Sequence, residues 1–318
     1  MRKIIIVIAL MTFMHLCLSA EDVTVGAYQN ATRLISSNSN GMVIEFTLGS
    51  FMRDAVNING DTWYLPRVKK GGVTLDAGYP QVPVLASSVI IPPTSKMTLD
   101  ISQSEYVDLQ MQIAPSKGSL TRDVNPDSVP YSFGGVYNGV NHYPETPAYL
   151  TEPFILRDYR GITVRFQPFI YYPETGITRV YTKLVVTISD DGVDTVNTVQ
   201  NQRNRSAEAF KGIYENMFLN FGQAKYPLLD EEGRILVIKN SMFDAVIQPW
   251  VDWKRQMGFD VSVVDVNVAG PSANQIKTYI QNEYNLNNGL MFVQIMGDAP
   301  HVRSEEHTSE LQSRQVIS

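Results

Sequence analysis

The chain has 318 residues, 44% of them hydrophobic, and a formal net charge of -6 at pH 7. That is enough length and apolar content for about two globular domains with separate cores, which excludes a chain disordered throughout. No block of Lys and Arg offsets the acidic balance, so nucleic acid and anionic membrane surfaces are poor partners, and a protein or peptide partner is expected.

At the N-terminus, Arg2 and Lys3 precede an apolar run over residues 4–18, followed by the small residues Ser19 and Ala20. This three-part layout predicts a secretory signal peptide over residues 1–20, cut between Ala20 and Glu21, and hence export to the exterior or the cell surface. The run is shorter than the roughly 20 residues of a spanning helix and contains His15, so no stable membrane span is expected. Cys17 does not make the chain a lipoprotein, because Met14, His15 and Leu16 are not the small residues that precede a lipidated cysteine. Cys17 is also the only cysteine, so the chain without its leader has neither disulfides nor cysteine metal ligands.

Residues 21–189 read as an all-β domain, with short alternating runs broken by Gly, Pro and Asn. Met42, Ile44, Phe46 and Leu48 share one face of an extended segment. The same period of two recurs at Val107, Leu109, Met111 and Ile113, and at Val180, Thr182, Leu184, Val186 and Ile188. Asn59-Gly60 and the stretch from Pro173 to Gly176 are turn signals. Together they predict a β-sandwich with one apolar face per sheet. Within it, Arg157, Asp158 and Arg160 are expected to form a surface ion-pair cluster, and His142 to be a loop residue with no second histidine nearby to make a metal site.

Residues 190–231 are polar and rich in Asn and Gln, with a short helix predicted over residues 207–221, and read as a linker open to cleavage. After it the period changes. RILVIK (234–239) is a buried strand, followed by a helix with Phe243, Val246, Ile247, Trp250, Trp253 and Met257 on one face, the two tryptophans packing into a core. Ser241 with Asp244 is the expected cap of that helix and Gly258 its stop. DVSVVDV (260–266) is a second strand, Ser272 with Gln275 caps a second helix, and LMFVQIM (290–296) is a third strand. Strand, helix, strand, helix, strand predicts a parallel sheet over residues 232–302, with functional groups gathered at the carboxyl ends of the strands.

Residues 303–318 break this pattern. RSEEHTSELQS resembles the translation of a widely used sequencing-library adapter. The native sequence is therefore expected to stop near Val302 in a gene that continues, and His307 is given no function.

Three stretches of the β-domain carry a family resemblance: IAPSKGSLTRDVNPDSVPY (113–131), EPFILRDYRG (152–161) and YYPETGITRVYTKLVVTIS (171–189). They resemble the prodomain of the Arg-specific gingipains. VDWKRQMGFDVSV (251–263), IQNEYN (280–285) and IMGD (295–298) resemble the start of the gingipain catalytic domain, in the same order along the chain. The resemblance implies a caspase-like α/β domain, and catalysis by a cysteine nucleophile activated by histidine. Both residues would lie beyond the third strand, so no catalytic residue is assigned in this chain.

By the same resemblance, Arg122 enters the primary specificity pocket of the chain's own catalytic domain, its intramolecular partner, and blocks it. A guanidinium suits a carboxylate-lined pocket, and a loop held by a β-scaffold loses little entropy on docking. Lys225-Tyr226 matches the place where such zymogens are cut. A lysine there and an arginine at position 122 fit either a separate processing protease or a pocket that accepts both cations. Asp298 matches an acidic residue that helps bind calcium in the family. A calcium ion needs about six or more oxygens, and one carboxylate is better read as an ordinary strand-end aspartate. The reading that follows is a secreted cysteine endopeptidase precursor acting on protein or peptide substrates. The alternative is a secreted, non-catalytic binding or adhesion protein built on the β-sandwich. A histidine-glycine step and a cysteine after further buried strands separate the two.

Overall fold

The computed structural model describes residues 20–38, 41–139, 142–199, 205–222, 229–231, 233–286 and 289–303. They fold as two units: the chain up to Gln200 with Met217–Gln223, and Asn201–Asn216 with the chain from Ala224 onward.

The first unit is antiparallel. In chain order its strands are β1 (Glu21–Thr24), β2 (Ala31–Asn38), β3 (Gly41–Thr47), β4 (Ser50–Ile58), β5 (Asp61–Arg67), β6 (Gly72–Val73) and β7 (Pro83–Ile90). There follow β8 (Ser95–Gln110), β9 (Ala148–Leu150), β10 (Phe154–Leu156), β11 (Tyr159–Phe166), β12 (Phe169–Tyr172) and β13 (Ile177–Val193). One sheet runs β10-β11-β7-β6 with β9 also on β11, and another β12-β13-β3-β2 with β8 also on β13; a smaller sheet runs β1-β4-β5.

Alternation explains the packing. Ile44 and Phe46 of β3 and Leu184 and Val186 of β13 turn inward and meet Val164 and Phe166 of β11, all but completely buried. The Phe46 and Phe166 rings stack with centroids 5.2 Å apart. Each such side chain contributes about 1.5–3 kcal/mol by leaving water. The β4–β5 hairpin turns on Asn59 and Gly60, with φ of 56° and 95°, the left-handed pair that matches strand twist in a two-residue loop.

The second unit contains β14 (Arg205–Ala207), α1 (Glu208–Met217, its last residue in the first unit), β15 (Leu229–Glu231), β16 (Arg234–Lys239), α2 (Asp244–Gln256), β17 (Asp260–Asp265), α3 (Val266–Ala269), α4 (Ala273–Asn285) and β18 (Leu290–Met296). β16 lies between β17 and β18, parallel to both. Alternate residues of β16 feed two cores. Ile235 and Val237 pack with Ile247 and Val251 of α2, whereas Leu236 and Ile238 pack with Val266, Ala269 and Ile276 of α3 and α4. The Ser272–Gln275 capping box opens α4 as expected. None of the helices described is long and apolar enough to cross a membrane.

Several expectations need correction. Asn240, not Ser241, caps the short turn before α2, accepting from the Met242 N–H, while Asp244 pairs with Lys239. On α2 the buried stripe is Ile247 and Val251 with Trp250 partly covered. Trp253 is 53% exposed, under the Lys254 ammonium at 4.2 Å, so it is no core residue. The predicted face spread too far around the helix for one sheet to cover it. β18 forms as expected at an edge of its sheet, with Val293 and Ile295 exposed on one face. Arg160 and Asp158 are buried rather than forming a surface cluster, at 2% and 6% exposure.

Candidate functional site

The Arg122 loop is built from a buried root outward. Met111, Ile113 and Ala114 are buried, and Tyr64 brackets the segment by donating to Gln112 O at 2.8 Å and accepting from Ala114 N at 2.9 Å. The Tyr137 hydroxyl donates to Ile113 O at 2.8 Å. Burial pushes that phenol well up, so it stays a neutral donor. Ser116 exchanges backbone hydrogen bonds with the turn at Gly78 and Tyr79, at 2.9 and 2.7 Å. Gly118 has φ of 85°, and a Cβ there would lie 3.2 Å from Ala77 Cβ, so this step suits glycine alone.

Beyond the root, the chain turns with Val124 N donating to Thr121 O at 3.1 Å, which places Arg122 and Asp123 at the two corners. The Thr121 hydroxyl, and then the backbone N–H of Asp123, hold the Asp123 carboxyl below the usual range. Asn125 closes the next turn: its Oδ1 accepts from Asp127 N at 3.0 Å and its carbonyl from the Ser128 hydroxyl at 2.7 Å. Pro126 follows in a short 3-10 turn, and Lys117 ties that turn back by donating to Pro126 O at 2.8 Å. Arg122 is exposed and, among the described residues, its guanidinium has no hydrogen-bond or ion-pair partner. An exposed cation thus sits at the corner of a braced turn, where it can meet an anionic or carbonyl-lined acceptor.

The other expected residues are not gathered with it. Ala20 is exposed, and Glu21 begins β1, pairing with Arg53 both in register and by a 2.8 Å ion pair. Lys225 and Tyr226 lie outside the described residues. Asp298 follows β18 and is exposed; its carboxylate accepts from Ala299 N at 2.8 Å and its carbonyl from His301 N at 2.8 Å. It caps the turn it begins. No group of three or more His, Cys, Asp or Glu suited to a metal gathers among the described residues, and Asp298 supplies a single carboxylate. That set does not fit calcium, which needs about six or more oxygens. At the carboxyl ends of β16 and β17, Lys239 pairs with Asp244 and Asp265, and hydrogen bonding to Asp244 raises its pKa first of all.

The sequence reading missed Arg160. Its Nε donates to Asn197 O at 2.9 Å, and Nη1 to Pro92 O and Ser95 O at 3.1 and 2.7 Å. Nη2 donates to Val196 O at 2.8 Å and to the Asp194 carboxylate. All five guanidinium N–H groups are thereby used, and residues 194–197 are clasped to the β-domain. Downstream, Asn220 accepts from Ile90 N at 2.8 Å and donates to Ile90 O at 2.9 Å, in the manner of an added strand. A Cβ on Gly161 would stand 2.6 and 2.7 Å from the Phe218 and Phe154 rings.

Comparisons with known proteins agree with this architecture. The family described as Propeptide_C25 matches residues 23–226, and Peptidase family C25 matches residues 228–313, ending inside the polar tail. Gingipain R2 of Porphyromonas gingivalis is 32% identical over 272 residues, covering 84% of this chain and 37% of the relative. Gingipain R1 of the same organism is 30% identical over 285 residues, covering 88% of this chain and 29% of the relative. A solved complex of the Porphyromonas gingivalis RgpB pro- and mature domains includes a chain that aligns with 60% of this one and 99% of itself, at 31% identity and a TM-score of 0.55. This chain thus spans 37% of the length of gingipain R2 and 29% of that of gingipain R1. The antiparallel sandwich, the parallel sheet after it and the two family matches in that order place the chain in the gingipain family of cysteine peptidases, as a prodomain followed by the start of the catalytic domain.

Proposed function

We propose that this chain is the front of a secreted cysteine endopeptidase zymogen, whose β-domain helps the catalytic domain fold and blocks its cleft until it is cut away. The observation that carries the reading is the exposed Arg122, without a hydrogen-bond or ion-pair partner among the described residues, at the corner of a turn whose root is buried. A plug of this kind works by preorganisation. Because Asn125, Lys117 and Gly118 already hold the turn, docking orders little beyond the arginine side chain itself. The solved pairing of RgpB pro- and mature domains supports an intramolecular partner.

In this reading the leader is removed between Ala20 and Glu21, and Lys225-Tyr226 is the bond cut at activation. The catalytic histidine and cysteine belong to sequence beyond Val302, so the fragment alone is inactive. The backbone edge of β18 that faces away from β16 is where further strands of that domain would be added.

Expression of the complete reading frame tests this. Activity toward arginyl or lysyl amide substrates should appear only after cleavage in the 225–226 region and vanish on thiol alkylation. A precursor fully active before any cut, or an activity indifferent to alkylation, contradicts the reading.

A further inference from the structure

The chain does not pass once from the first unit to the second. It leaves the β-domain after Gln200, contributes Asn201–Asn216 to the second unit, returns to the β-domain for Met217–Gln223, and leaves again at Ala224. The excursion is structured. β14 pairs in parallel with β15, matching Arg205 to Leu229 and Ala207 to Glu231. On α1, the Phe210 ring stacks on Phe292 of β18 with centroids 5.6 Å apart and planes 20° off parallel, and Tyr214 stacks on Phe210 one turn later. Both ends of the excursion are pinned to the β-domain. Arg160 clasps residues 194–197 before it. After it, Asn220 bonds to Ile90, Leu219 N donates to Ser88 O at 3.0 Å, and Phe218 is buried.

We propose that residues 205–217 are a retention element: a strand and helix that stay covalently part of the propeptide while completing the fold of the enzyme unit, so that the first cut does not release the propeptide. The proposal rests on the zymogen reading and adds the surface that holds the two pieces together. Any cut between residues 222 and 229 separates β14 and α1 from β15 and β18 in sequence but breaks none of their contacts. The occupied surface is the free backbone edge of β15 and the Phe292 face of β18. Because the β-domain grips residues 194–197 and 218–221, the element is already held at both ends, and little entropy is lost in keeping it docked. Release of the propeptide then needs a second event that removes or unfolds residues 205–217.

The test uses the full chain without its leader, with residues 223–228 replaced by the recognition sequence of an unrelated, specific endoprotease. After complete cutting, the two pieces should co-elute in size-exclusion chromatography. Phe210→Ala combined with Ser206→Pro should speed their separation about tenfold or more, through loss of the ring stack and disruption of the short β14–β15 ladder by proline. Immediate separation of the unsubstituted pieces overturns the proposal, and so does a double variant that stays bound as long as the parent. Hydrogen exchange on the unsubstituted chain covers the case of a variant that fails to fold: protection of residues 208–217 should survive the cut, and its loss overturns the proposal. An Arg122→Ala arm, run in the complete reading frame with the same inserted cleavage sequence so that the specificity pocket is present, separates this idea from the inhibitory plug. Pieces that part on loss of Arg122 alone place the hold at the plug and overturn the retention element, whereas Arg122→Ala pieces that stay together support it. Neither processing at Lys225 nor inhibitory potency enters the readout.

Discussion

The β-domain and the parallel unit bury their apolar residues in different ways. In the β-domain, Ile44, Leu48, Val164, Phe166, Leu184 and Val186 are fully buried between two sheets. Among the described residues of the parallel unit, only β16 has a strand on each side, and Val263, Val293 and Ile295 of the edge strands are exposed, as are Val246 and Trp253 of α2. The first fold closes on itself. The second offers the sort of apolar edge and surface that soluble proteins cover with more chain or with a partner.

Substitutions sharpen this contrast. The largest effect is expected inside the sandwich, where Phe46→Ala removes a stacked, fully enclosed ring and should cost about 3–5 kcal/mol in denaturant unfolding. Next comes Arg160→Ala, which strands Pro92, Ser95, Val196 and Asn197 carbonyls and should cost about 3 kcal/mol, with faster proteolysis near residues 194–199. A smaller effect concerns acid. Asp108 is held below the ordinary carboxylate value of 3.8 by its bonds with Arg179. Asp190 is held below it by the Ser95 hydroxyl, and Asp194 by the Val196 N–H and then Arg160. Groups with lowered folded pKa values add stability that is complete above the ordinary value and lost as pH falls through the lowered one. The β-domain should therefore loosen below about pH 4 and be insensitive between pH 6 and 8, which a pH series of melting curves checks. The smallest effects belong to the open unit: Ile295→Ser and Trp253→Ala should each change stability by no more than about 0.5 kcal/mol. A cost near that of Phe46→Ala at Ile295 would mean that the edge is covered after all.

The same contrast explains what could be read in advance. Period two at Met42–Leu48 and Val180–Ile188 forecast the burial of those residues because each sandwich sheet has one wet face and one dry face. The apolar run LMFVQIM forecast a strand but not its exposure, because burial in a parallel sheet depends on which strands lie alongside, and no local pattern encodes that. The exposed Arg122 was found through the LTRDVNP stretch, whereas Arg160 was misread, since the composition of residues 157–160 is that of a surface and its burial comes from segments 34 to 68 residues away. Within residues 190–231, read as a linker from their polarity, Asp194 and Asn220 are held by groups distant in the chain, which composition does not encode.

The claim that Arg122 is the blocking residue is tested most directly by the inhibition constant of purified residues 21–225 against an arginine-specific gingipain. Arg122→Ala should weaken inhibition about thirtyfold or more while leaving the melting temperature unchanged, as expected for a central anchor on a loop braced elsewhere. Arg122→Lys should fall between the two, because an ammonium keeps the charge and loses the planar fork. Equal potency of the parent and Arg122→Ala would contradict the account.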